Sequence, residues 1–205
     1  MENEYSVTTC LYYCRDSSKQ KKGRMQMEFK GSRTEANLMA AFAGESQARN
    51  KYTFYASQAK KDGYMQIARI FEATAANEKE HAELWFKQLH GGSIPGTADN
   101  LVDAAAGERY EWTQMYADFA KVAREEGFTA IAAAFELVGK IESHHEQRFL
   151  KLRDNLETGK VFKRGAGTIW ICLNCGHLYT GETPPSLCPV CKHPQAYFQL
   201  HIEDY

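Results

Sequence analysis

Ile131-Ala-Ala-Ala-Phe135-Glu-Leu-Val138-Gly-Lys-Ile-Glu142-Ser-His-His145-Glu-Gln-Arg-Phe149 carries apolar residues at the spacing of one helix face, with two exceptions. The stripe runs Ile131, Phe135, Val138, Glu142, His145, Phe149 and Leu152, in steps of four and three. A glutamate and a histidine hold two consecutive inward positions. Sixty-four residues earlier the same face reads Ile67, Phe71, Thr74, Glu78, His81, Trp85 and Leu89. Gly63-Tyr-Met-Gln-Ile-Ala-Arg-Ile-Phe71 returns as Gly127-Phe-Thr-Ala-Ile-Ala-Ala-Ala-Phe135, and Gly44-Glu45 returns as Gly107-Glu108 with a slip of one residue. The chain therefore reads as two copies of one helical hairpin, each carrying Glu and then Glu-x-x-His.

Helices are predicted over 34–62, 65–89, 99–126 and 128–157, with tight joints at Gly63 and Gly127 and a longer one at Gly91-Gly92-Ser-Ile-Pro95-Gly96. Long helices with short joints predict a mainly α protein, an antiparallel four-helix bundle over residues 34–158. Helix one adds the stripe Leu38, Phe42, Glu45, Arg49 and Tyr52. Helix three adds Leu101, Ala105, Glu108, Trp112 and Met115, with Glu111 one turn along and to the side. Residues 159–166 read as a linker. Residues 167–205 are too few for a large core and call for a metal staple. Residues 1–33 have weak periodicity and a basic run at 19–24, and read as a flexible extension. Its Cys10 and Cys14 lack a further Cys or His neighbour and read as incidental.

At 205 residues, 43% apolar and 25% charged, the composition is that of an ordinary globular protein. A net charge of −1 gives no basis for binding nucleic acid or an anionic membrane. No apolar run approaches the roughly 20 residues that span a bilayer, and the N-terminus lacks the pattern of a secretory signal. A cytoplasmic location is the expectation.

Burying an unpaired carboxylate costs several kcal/mol because its hydration is lost. Converging Glu45, Glu78, Glu108, Glu142 and Glu111 demands compensating positive charge, and two metal cations supply it. Glu at i and His at i+3 share a helix face, and one Glu from each of two helices with Glu-x-x-His from the other two is a di-metal pattern of bundle cores. Many oxygens with one imidazole per metal suit iron or manganese better than a structural zinc. A lone Glu-x-x-His is common on solvated faces. Two copies tied by a repeat, both within inward stripes, are not.

Near the C-terminus, Trp170-Ile-Cys172-Leu-Asn-Cys175-Gly176 and Leu187-Cys188-Pro-Val-Cys191 form two knuckles. Four thiolates in tetrahedral array fit zinc or a single iron, and the residues alone leave that choice open. Gly176 permits the positive φ of the turn that aims backbone N–H groups at sulfur. Trp170, Tyr179, Tyr197 and Phe198 are expected to cover the site. His177, His193 and His201 nearby are surplus to a filled tetrahedron.

These motifs resemble the rubrerythrin family over about residues 30–205. The carrying stretches are Ala43-Gly-Glu45-Ser-Gln-Ala-Arg-Asn-Lys-Tyr52, Asn77-Glu78-Lys-Glu-His81, Gly107-Glu108-Arg-Tyr-Glu111, Glu142-Ser-His-His145 and Cys172 to Cys191 with His193-Pro-Gln-Ala-Tyr197-Phe. The resemblance implies a ferritin-like bundle followed by a small rubredoxin-like domain. It implies two non-haem irons bridged by Glu78 and Glu142, with Glu45, Glu108 and His145 as terminal ligands. His81 and Glu111 would alternate at one iron, in the reduced and oxidised states respectively. Tyr52 and Tyr116 match tyrosines that stand behind the ligands in the family. The resemblance makes the Cys172/Cys175/Cys188/Cys191 metal an iron and the activity reduction of hydrogen peroxide to water, in oxidative-stress protection. Electrons would arrive from an NAD(P)H-fed reductase or a rubredoxin, and a homodimer or higher homo-oligomer would set the cysteine module of one chain over the bundle of another. The alternative is a ferroxidase of the ferritin class, against which Glu111 and the cysteine module argue.

Overall fold

The computed structural model describes residues 28–203. Most of the expected extension, with Cys10 and Cys14, lies outside the described residues. Two units follow, divided after Gly92.

The first unit is a helical hairpin, α1 (Arg33–Lys61) and α2 (Met65–Leu89). Ser32 caps α1: its Oγ accepts the Glu35 N–H at 3.1 Å, and the Glu35 carboxylate reaches back to the Gly31 N–H. The turn closes through Gly63 at φ 84°, which a side chain would strain, and the Tyr64 N–H donates to the Ala59 carbonyl at 2.8 Å.

The second unit opens with α3 (Thr97–Tyr110), which widens into a π-turn at Glu111–Met115 and continues as α4 (Tyr116–Glu125). The return helix is α5 (Thr129–Glu157). Its joint repeats the first: Gly127 at φ 85° and Phe128 N–H to Ala123 O at 2.7 Å. The ion pair Lys60–Glu72 returns as Arg124–Glu136. The predicted third helix is thus one run of helix with a π-turn inside it.

The contact between helices within each hairpin is made of small residues. Ala56, Ala59, Ala68, Ala75 and Ala82 are buried in the first; Ala105, Ala120, Ala123, Ala132 and Gly139 are buried in the second. Small side chains let two backbones approach closely, so the hairpins zip along alanine seams. The large apolar stripes lie apart from these seams: Ile67 is 47% exposed and Ile131 51%.

Beyond α5, β1 (Ile169–Cys172) lies between β2 (Leu178–Thr180) and β3 (Phe198–Leu200) in an antiparallel sheet ordered β2-β1-β3. Register pairs Trp170 with Tyr179 and Leu200, and Cys172 with Phe198. Trp170, Cys172, Cys188 and Phe198 form the buried centre, with Tyr179, Cys191 and Leu200 packed against it. The Trp170 Nε1 donates to the Gly181 carbonyl at 2.9 Å, which satisfies the polar end of a fully buried indole. Tyr197 departs from expectation. It is 41% exposed and packs edge-on against His193 rather than joining that centre. Among the described residues no helix is long and apolar enough to cross a membrane.

Candidate metal centres

In the first hairpin, α1 presents Glu45 and α2 presents Glu78 and His81. The His81 Nδ1 lies 2.9 Å from Glu78 Oε2 and 3.8 Å from Glu45 Oε2. In the second hairpin the His145 Nδ1 lies 2.7 Å from Glu142 Oε2 and 3.5 Å from Glu108 Oε2. In each triad the donor atoms fall within 4.8 Å of one another. Two ligands bound about 2.1 Å from one metal at a right angle stand about 3 Å apart, so each triad has the chemistry and the spacing for a cation. Each hairpin by itself offers two carboxylates and one imidazole.

Behind each triad stands the same aromatic trio. Tyr52, Tyr55 and Phe71 have ring centroids 6.2, 6.0 and 5.5 Å apart, and Tyr116, Phe119 and Phe135 have them 6.4, 5.9 and 5.6 Å apart. The sequence-expected Tyr52 and Tyr116 are therefore equivalent members of a repeated cluster.

The slip in the repeat now has a structural meaning. Glu45 precedes Tyr52 by seven residues, while Glu108 precedes Tyr116 by eight. A π-turn is an α-helix with one residue inserted, and the insertion lies at Glu111–Met115, between Glu108 and Tyr116. Glu111 begins that turn. Burial, followed by the charges of Glu142 and Glu108, holds its carboxyl above the usual range, partly offset by His145. Tyr116 is raised by burial and then by Glu111, Glu142 and Glu108. Both shifts place Glu111 and Tyr116 in the electrostatic field of the second triad.

One carboxylate that the sequence reading passed over is the most buried of all. Glu146, next to His145, is 7% exposed. Its Oε2 accepts the Trp112 Nε1–H at 2.6 Å, and its Oε1 lies 3.4 Å from the Arg109 guanidinium. This anchors α5 to the π-turn. Gly139 permits the same approach: a Cβ there would meet Tyr116 Cβ at 3.4 Å. The available signal was the ladder Trp112, Gly139 and Glu146, which stands where the first hairpin has Arg49, Ala75 and Ala82.

The cysteine module brings all four expected residues together. Sγ separations are 3.7 Å for Cys172–Cys191 and 3.7 Å for Cys175–Cys188, against about 3.8 Å for the edge of a tetrahedron with metal–sulfur bonds of about 2.3 Å. The knuckles are built alike. The Cys172 N–H donates to His177 O and the Gly176 N–H to Cys172 O; the Cys188 N–H donates to His193 O and the Lys192 N–H to Cys188 O. Gly176 takes φ 75° as expected, whereas the second knuckle places Lys192 at φ 60°. The His193 N–H on its sulfur draws the Cys191 thiol down to about 5, against burial and with help from neighbouring thiols. The His177 N–H acts likewise on Cys175, but burial and the other three thiols outweigh it and push that thiol up to about 12. Four thiols this close resist shedding all their protons without a cation among them.

Comparison with known proteins agrees with both centres. The rubrerythrin family profile matches residues 36–153, and the profile of the rubrerythrin rubredoxin-like domain matches residues 170–199. A rubrerythrin of Porphyromonas gingivalis is 51% identical over 90% of this chain and 98% of its own. Rubrerythrin-1 of Clostridium acetobutylicum is 48% identical over 86% of this chain and 98% of its own, and a rubrerythrin of Nitratidesulfovibrio vulgaris is 49% identical over 83% and 95%. The repeated Glu and Glu-x-x-His triads, the four-cysteine module and these matches agree: the chain belongs to the rubrerythrin family of non-haem iron oxidoreductases, with a di-iron site in a ferritin-like helical domain and a second metal centre in a rubredoxin-like domain.

Proposed function

We propose that this protein is a peroxidase that takes up two electrons and two protons to convert hydrogen peroxide into two waters, as part of oxidative-stress protection. The observation that carries this reading is the asymmetry between the triads: among the described residues, the second alone has an additional carboxylate, Glu111, presented by a π-turn and held toward its protonated form. In this reading Glu78 and Glu142 would hold both metals, Glu45, Glu108 and His145 would each hold one, and His81 and Glu111 would be alternatives for one position. Two irons held there would supply the two electrons that peroxide reduction needs, one from each metal. A neutral imidazole at His81 and an anionic carboxylate at Glu111 would let the protein's own charge follow the oxidation state of the site. The raised pKa favours the protonated form of the Glu111 carboxyl beside the triad, and the Tyr116 phenol stays protonated as a hydrogen-bond donor.

Cys172, Cys175, Cys188 and Cys191 would hold one iron that passes electrons singly from an NAD(P)H-fed reductase or a rubredoxin. A homodimer would bring the module of one chain to the ligands of another. The test is anaerobic stopped-flow oxidation of the fully reduced protein, with metal analysis and a visible spectrum. Peroxide should oxidise it faster than dioxygen at equal concentration, and the cysteine site should be coloured and hold iron. Faster oxidation by dioxygen would favour a ferroxidase. A colourless, zinc-filled cysteine site would end the electron-transfer proposal.

A further inference from the structure

The place of the π-turn along its helix decides where Glu111 points. Both ends of the stretch keep the register of the first hairpin: Glu108 matches Glu45 and Tyr116 matches Tyr52, with one extra residue between them. A residue before the insertion follows the register of Glu108, and one after it is turned by about 100°. Shifting the turn by a few positions would therefore swing Glu111 away from the second triad without moving any other ligand.

The turn's own residues do not fix its place. Glu111–Met115 contains neither Gly nor Pro, and the Tyr116 N–H donating to the Glu111 carbonyl closes a bond that any residue pair can make. What fixes it stands on α5. Glu146 is 7% exposed, accepts the Trp112 Nε1–H at 2.6 Å through Oε2, and turns Oε1 to the Arg109 guanidinium at 3.4 Å. Trp112 follows Glu111 directly, so a fixed indole fixes the direction of its neighbour. Seven residues before Glu146, Gly139 seats the other end of the turn, where a Cβ would stand 3.4 Å from Tyr116 Cβ. In the first hairpin Arg49 and Ala82 occupy the places of Trp112 and Glu146, and α1 runs through as α-helix. Clamp and turn thus occur together in one copy and are both missing from those places in the other.

We propose that Glu146 is a positioning residue: by holding the Trp112 indole it fixes the π-turn where Glu111 lies beside the second triad, and so governs the peroxide reaction through Glu111. This rests on the reading of Glu111 as a ligand and adds what aims it. An indole N–H needs a lone pair and not a charge, so the requirement at residue 146 is an acceptor oxygen of the right reach.

A double-mutant cycle separates aiming from mere support. Anaerobic stopped-flow oxidation by peroxide is followed in reduced wild type, Glu146→Leu, Glu111→Ala and the double variant, compared at equal iron content. Glu146→Leu should slow the reaction about tenfold or more, Glu111→Ala at least as much, and the double variant no further than Glu111→Ala. Glu146→Gln keeps an oxygen for the indole and should stay within about threefold of wild type. Slowing by the same factor in both backgrounds overturns the proposal, as does Glu146→Gln falling as far as Glu146→Leu. Trp112→Phe, which keeps the ring and removes the donor, takes the place of Glu146→Leu in the cycle if that variant does not fold.

Hydrogen exchange of the metal-free protein supplies an arm that needs no turnover. Amides of residues 111–116 should exchange about tenfold faster in Glu146→Leu and Trp112→Phe and at the wild-type rate in Glu146→Gln, with those of 48–53 in α1 unchanged. Unchanged exchange at 111–116 overturns the clamp and leaves the ligand reading intact. A Glu111→Ala variant that reacts with peroxide as wild type does defeats the ligand reading, and the aiming of Glu111 with it.

Discussion

The two hairpins are near copies whose differences lie on one side. Ala56, Ala59 and Ala68 of the first correspond to Ala120, Ala123 and Ala132 of the second, all buried. The aromatic trios, the ion pairs and the glycine joints also match. The correspondence breaks at Ala75 and Ala82, whose counterparts in the second copy are Gly139 and Glu146. It breaks again in α1, which runs straight where the second copy inserts its π-turn. The repeated part therefore builds a scaffold and a pair of candidate three-residue metal sites, and the unrepeated part builds Glu111 and its support. Glu146 is best understood as part of that support. A residue inserted in a helix weakens its hydrogen-bond ladder, and a buried carboxylate on the Trp112 indole ties the weakened segment to α5.

The largest expected effect comes from forcing the copies to agree in the wrong direction. Ala82→Glu forces a carboxylate into the buried seam at the place of Glu146, with Arg49 lining the same cleft but no indole to meet it, and overpacks two closely approached helices; it should cost about 3 kcal/mol in denaturant unfolding followed by circular dichroism. A change below about 1 kcal/mol would mean that the first seam is looser than its buried alanines imply.

A smaller loss is expected from Trp112→Phe, which keeps the ring but leaves Glu146 short of its best donor; about 2 kcal/mol is the scale for such an orphaned group. The same melts should show no comparable loss for Arg49→Ala in the first hairpin, the counterpart of Trp112, because its side chain is exposed.

The smallest effect has a sign that depends on pH. The folded protein raises the Glu111 pKa above its ordinary value of 4.5, so protonated Glu111 contributes stability that is present below that value and is lost as pH rises through the raised one. Metal-free Glu111→Gln should therefore match wild type in acid and become the more stable of the two toward neutral pH. Thermal melts across that range check this, and an unchanging difference would remove the electrostatic account of the π-turn.

Much of this was legible in the sequence because it rests on periodicity. Helix ends at Gly63 and Gly127, the Glu-x-x-His pairs and the two cysteine knuckles all announce themselves by spacing. The alanine seams are hidden in the sequence because alanine carries little weight in an apolar stripe. Glu146 was hidden for a related reason. Adjacent to the stripe and charged, it has the pattern of a solvated residue, and only the position of Trp112 across the hairpin reveals its partner. Lys192 takes a backbone conformation usually left to glycine, and its residue type gives no hint of that. The π-turn was visible only as arithmetic, the one-residue slip between Glu45 and Glu108.

That slip can also be read as a record of descent. One added codon in one copy of a duplicated gene would ordinarily rotate everything beyond it by about 100° around the helix. Here the register is restored before Tyr116, and every later landmark, from the aromatic trio to His145, keeps its distance from its counterpart in the first copy. The π-turn thus confines an insertion to five residues. A symmetric ancestor can acquire an asymmetric centre in this way without refolding the half that changed.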